Sequence, residues 1–99
     1  SADVLVGLVS NIVQYAAFGL MLAKSLDYTF ETLTYFIEDA HIYECQYDYA
    51  DKVISVENER FPTVTLEKRF QRIEDYRKTD FILEDYFPQD VSYKIPTPV

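Results

Sequence analysis

From Val4 to Ala23 the chain carries no charged residue, a run that must either cross a membrane or be buried against the rest of a folded domain. Its internal polarity argues for burial. Gly7, Ser10, Asn11 and Gln14 interrupt the run, and its flanks offer only Asp3 and Lys24, with neither a basic cluster nor an aromatic belt. The soluble reading divides the run in two. Val4–Val9, aliphatic and β-branched, predicts a short buried strand. Ser10 and Asn11 then offer an N-cap for a helix from Ile12 to Ser25. That helix is apolar nearly all round, which predicts burial at the centre of the fold.

The remaining residues bound what such a fold can do. The chain has 99 residues, 48% of them hydrophobic and 16% aromatic, enough for one domain with a packed core. A net charge of −8 with nine basic residues excludes a nonspecific grip on nucleic-acid phosphates and disfavours anionic membrane surfaces. The single cysteine, Cys45, excludes an internal disulfide and a multi-cysteine zinc site, which suits a cytoplasmic location. A basic stretch followed by a secretory cleavage site is missing. Because Ser1 is followed within three residues by the apolar run, the chain reads as a piece cut from something longer.

Downstream, the pattern changes element by element. Phe30–Ile37, rich in Thr, Tyr, Phe, Leu and Ile, predicts a strand leading into Asp39-Ala40-His41-Ile42-Tyr43. In an extended chain Asp39, His41 and Tyr43 share one face, so a carboxylate, an imidazole and a phenol stand in a row. Glu44–Asn58 reads as a surface helix, Thr63–Lys68 as a half-exposed strand, Arg69–Lys78 as a charged helical turn and Asp80–Tyr86 as another strand. Residues 91–99, with Pro96 and Pro98, should be extended and mobile unless docked. The order βαβαβ(α)β makes residues 1–99 one mixed α/β unit.

On residue types alone, His41 is either a satisfied structural histidine or a ligand-binding group, and Asn11 is either a helix cap or a polar contact. A metal site would need more histidines or better-spaced acids than Glu38, Asp39 and Glu44 supply, so none is expected. Cys45 has no base placed beside it by motif, and with only Gly7 and Gly19 there is no phosphate-cradling loop.

Ser1-Ala2-Asp3-Val4-Leu5-Val6-Gly7-Leu8, then Asn11 with Tyr15-Ala16, then Asp39-Ala40-His41-Ile42-Tyr43 resemble the carboxy-terminal part of thymidylate synthase in order and spacing. Arg60-Phe61-Pro62, Asp75-Tyr76-Arg77, Asp80-Phe81, Tyr86, Pro88 and the closing Lys94-Ile95-Pro96 to Val99 extend the resemblance over essentially the whole chain. It implies the C-terminal portion of that fold, with dUMP bound by Ser1 at the phosphate, Asn11 at the uracil edge, and His41 with Tyr43 at the 3′-hydroxyl. It further implies folate contacts from Asp3, Gly7 and Val99, with 91–99 folding over the site as a lid.

The family's reaction is reductive methylation of dUMP to dTMP, with 5,10-methylenetetrahydrofolate as co-substrate and a homodimer as the working form. A cysteine thiolate from an upstream segment, not Cys45, is the nucleophile, so this chain alone should be inactive. Four positions depart from the family pattern: Val9-Ser10 stand for Pro-Phe, and Glu38 and Asp85 each stand for glycine. Glu38 leaves room for a dUMP/dCMP hydroxymethylase relative. A non-catalytic homodimerising module is the alternative outside enzymes.

Overall fold

In the computed structural model, which describes residues 2–89 and 93–98, the apolar run is helical almost from its start. Helix α1 spans Gly7–Ser25, and Val4–Val6 turn into it, so the strand expected over Val4–Val9 does not form. A strand needs a ladder partner for its backbone groups. The partner here, β2 (Ala40–His41), is two residues long and takes β1 (Ala2–Asp3) in parallel register, Ala2 opposite Ala40 and Asp3 opposite His41. Beyond it, the aliphatic residues satisfy their backbone locally, as helix.

The far end of α1 is closed by a Schellman motif. Tyr28 N–H donates to Ala23 O at 2.8 Å and Asp27 N–H to Lys24 O at 3.2 Å, while Asp27 takes the left-handed conformation, φ 61°. Arg69 adds a cation, donating from Nη2 and Nε to Ser25 O at 3.3 and 3.4 Å, where the helix dipole is negative.

α1 is not the buried centre that its composition predicts. Ser25 is its one buried residue, whereas Val9, Ile12, Val13, Tyr15, Phe18 and Leu22 are exposed. The elements packed on it are β1, β3 and a 3-10 turn at Ile73–Asp75, too short to cover a cylinder about 10 Å across on every side.

Residues 28–39 carry no regular structure, so the strand expected over Phe30–Ile37 is also absent. This segment instead runs back along α1. A Cβ at Gly19 would overlap the Phe30 ring, with Cδ2 at 2.9 Å, and the Tyr35 ring lies 6.2 Å from that of Tyr15. A 3-10 turn at Glu44–Gln46 then leads into α2 (Tyr47–Ser55).

The alternating stretch Thr63–Leu66 forms β3 and pairs antiparallel with β4 (Phe81–Glu84), from Thr63 opposite Glu84 to Leu66 opposite Phe81. Between them, the helical turn expected over Arg69–Lys78 resolves into the Ile73–Asp75 turn and a second 3-10 turn at Lys78–Asp80. Tyr76 holds this connection: its hydroxyl accepts from Phe70 N–H at 3.2 Å and donates to Lys68 O at 3.1 Å.

The result is a mixed α/β arrangement; among the described residues the strands form two separate two-stranded sheets rather than one mixed sheet. Among the described residues the buried apolar ones are Ala2, Ala50, Leu66 and Tyr76. Among the described residues no helix is long and apolar enough to cross a membrane.

Candidate ligand-binding site

The β1–β2 pairing sets Asp3 beside His41. Ala2 N–H donates to Asp39 O at 2.7 Å and Val4 N–H to His41 O at 3.0 Å, so the short ladder is hydrogen-bonded on both flanks. Tyr43 is extended (φ −72°, ψ 150°), and its ring meets the His41 imidazole edge-on, with centroids 4.9 Å apart and planes at 72°. The alternate-residue geometry predicted for His41 and Tyr43 is thus present. Asp39 joins the ladder through its carbonyl, and its side chain is exposed.

Asp3 has an unmet hydrogen-bonding group. Its Oδ1 is buried and accepts no hydrogen bond among the described residues. Leaving a buried acceptor unmade costs about 1–3 kcal/mol, a penalty that an N–H donor from a ligand would remove. Gly7 opens α1 directly against this residue. A Cβ there would stand 3.8 Å from Asp3 Cβ, an ordinary contact, so the glycine leaves space beside the carboxylate rather than avoiding a clash.

Asn11 lies four residues further on, on the same helix face as Gly7. It is not a cap. Val6 occupies the N-cap with no side-chain cap bond, and Asn11 sits exposed in the second turn, away from the helix end.

A residue that sequence reasoning does not single out ties this corner to the chain's end. Gln46 is fully buried; its Oε1 accepts from Tyr43 N–H at 3.1 Å and its Nε2 donates to Pro96 O at 2.8 Å. Its one signal is the spacing Tyr-x-x-Gln, which matches the reciprocal geometry of a capping box.

Residues 93–98 are docked, not free. The Tyr93 ring lies 5.5 Å from Tyr49, and Lys52 Nζ sits over both rings at 4.9 and 5.3 Å. A cleft of about 600 Å³ separates Tyr93, Lys94 and Ile95 from Leu5, Val6 and Val9 at the start of α1. Ser1 and Val99, assigned to phosphate and folate by resemblance, lie outside the described residues, as do 91 and 92 of the lid segment.

The departures from the family pattern have different structural weights. Glu38 is exposed and its backbone is not left-handed, so nothing in its conformation demands glycine. Asp85 does take the left-handed form, φ 56°, and its carboxylate lies 3.6 Å from Arg60 Nη2. Cys45 is an exposed free thiol. Among the described residues no group of three His, Cys, Asp or Glu side chains could hold a metal.

With this geometry in view, comparison with known proteins gives the class. A family model described as Thymidylate synthase matches residues 1–98, and the chain belongs to that family. It is 32% identical to the thymidylate synthase of Saccharomyces cerevisiae, over 89% of this chain and 29% of that protein. It is 36% identical to the thymidylate synthases of Rhodopseudomonas palustris and Rhizobium rhizogenes, over 89% of this chain and 30% and 29% of theirs. The chain therefore spans about three tenths of the length of the curated relatives it matches.

Proposed function

We propose that this chain supplies the carboxy-terminal part of a thymidylate synthase, contributing contacts to dUMP and to 5,10-methylenetetrahydrofolate in a full-length homodimer. The observation that carries the reading is the β1–β2 ladder, which sets Asp3 opposite His41, with the Tyr43 ring against His41 and Gly7 beside Asp3.

Each side chain has the chemistry its role needs. Asn11 presents a donor and an acceptor together, matching uracil O4 and N3–H. An imidazole beside a phenol can both donate to and accept from the 3′-hydroxyl of the sugar. The orphaned Asp3 Oδ1 fits a folate ring, whose N–H groups would give it the donor it lacks. The folate supplies a one-carbon unit and a hydride when bound; what this chain contributes is orientation and exclusion of water. Ser1 at the phosphate, and Val99 with the rest of 91–99 as a lid, complete the proposal. Closing such a lid over the site would keep solvent from the reacting carbon.

The exposed apolar side of α1 belongs to the same reading, as the face on which the rest of the protein and its partner subunit pack. The lone exposed thiol fits a reducing cytoplasm. Cys45 does not sit in the motif that carries the family's nucleophilic cysteine, so the chain by itself performs no synthase chemistry. Tritium release from 5-tritiated dUMP in the presence of methylenetetrahydrofolate tests both statements. The full-length protein should release tritium and the 99-residue chain should match a buffer blank. Release by the isolated chain would contradict the assignment of the nucleophile to another segment.

A further inference from the structure

Gln46 is the one side chain among the described residues with 0% exposure, and it is polar. Both halves of its amide are committed. Oε1 accepts from Tyr43 N–H at 3.1 Å, and Nε2 donates to Pro96 O at 2.8 Å across fifty residues of chain. Gln46 N–H also donates to Tyr43 O at 2.8 Å, so Tyr43 is held through both of its backbone polar groups. The amide cannot be reversed, because its NH₂ would then face an N–H and its oxygen a carbonyl.

One planar group therefore joins the residue whose ring abuts His41 to the segment that ends the chain. We propose that Gln46 is a positioning residue that couples the seating of the C-terminal segment to the setting of Tyr43. The consequence for ligand rests on the nucleotide reading above: a seated C-terminal segment would favour the Tyr43 geometry that holds the sugar. The Tyr93 ring against Tyr49 and Lys52 keeps the segment near when the Gln46 bond is lost, so the coupling and the tether are separable.

The test uses the full-length protein, a version ending at Ile95, Gln46→Met, and the two changes combined. The first readout is amide hydrogen exchange without ligand. Although Pro96 is far from Tyr43 in sequence, ending the chain at Ile95 should speed Tyr43 amide exchange about tenfold when Gln46 is present, because the amide loses one of its two anchors. In the Gln46→Met background the same truncation should change Tyr43 exchange less than about twofold, a non-additivity that mere local destabilisation does not produce.

Unchanged Tyr43 exchange on truncation overturns the coupling, as does an equal effect of truncation in the Gln46→Met background. Should Gln46→Met fail to fold, truncation in the Gln46 protein decides alone. The second readout is the dUMP dissociation constant, expected to rise about tenfold on truncation only when Gln46 is present. Absence of dUMP binding by the untruncated protein overturns the nucleotide reading, while the exchange result still decides the coupling.

Discussion

At the scale of single residues, the candidate site contains one polar atom that the described residues leave without a partner. Asp3 keeps a buried, unpartnered carboxylate oxygen, a group that destabilises the ligand-free protein. Asp3→Asn replaces the carboxyl group that carries the unpartnered oxygen and should leave stability unchanged or raised, while weakening folate binding about 10- to 100-fold. Chemical denaturation and a folate titration on the same variant read the two effects. Loss of stability without loss of folate binding would make Asp3 a structural residue.

Glu74 shows the ordinary surface case. Its own backbone N–H, then the Arg72 guanidinium 3.4 Å away, hold its carboxyl below the usual carboxylate range. A lowered folded value means that its contribution is present above the unfolded carboxylate range and is lost as pH falls through the lowered value. Arg72→Ala should raise the Glu74 midpoint in a carbon-detected NMR titration, though not fully to the ordinary value, because the backbone donor remains. Asp27 and Asp85 illustrate what the sequence hides at this scale. Both adopt left-handed backbone, a conformation that glycine takes most easily. Gln46 is legible only in part, because its partner Tyr43 N–H lies three residues away while Pro96 O, fifty residues on, meets it only once the chain has folded.

At the scale of elements, pattern is a good guide where it is periodic and a poor one where it is only apolar. The alternation over Thr63–Lys68 marks β3, which ends at Leu66, and its partner β4, Phe81–Glu84, lies within the strand predicted over Asp80–Tyr86. Val4–Val9 fits a buried strand and a helix start equally well by composition. The two-residue ladder at Ala2–Asp3 decides between them, and moves Asn11 from the cap into the second turn. Phe30–Ile37 has strand composition but finds no edge to pair with, and packs along α1 instead.

That packing has one narrow passage. Gly19→Ala would drive its methyl into the Phe30 ring, so it should destabilise the protein by about 1–3 kcal/mol, read as a lowered thermal midpoint. An unchanged midpoint would mean that residues 28–39 are not held against α1.

At the scale of the whole molecule, the chain is more open than a self-sufficient domain of its length. Its radius of gyration is 16.3 Å, against about 13 Å for a compact domain of this size. Its accessible surface is 8390 Å², where a compact chain of its mass would expose about 5,800 Å². Large apolar side chains at 49–90% exposure, Phe18 on α1 and Phe36 beside it among them, account for much of that opening. The apolar composition of α1 calls for cover on all sides, and the described residues cover little of it. The chain belongs to the thymidylate synthase family and spans about three tenths of the length of the relatives it matches.

The central claim is that Asn11, His41, Tyr43 and Asp3 form part of a nucleotide and folate site, and Asn11 is its sharpest probe. Calorimetric titration of dUMP into the full-length protein and its Asn11→Asp variant tests it most directly. An Asp side chain offers no N–H toward uracil O4 and leaves buried polar groups unmatched. The account therefore predicts dUMP binding by the native protein and a loss of about 100-fold or more in the variant, with its fold intact by circular dichroism. Equal dUMP affinity in the two proteins would contradict it.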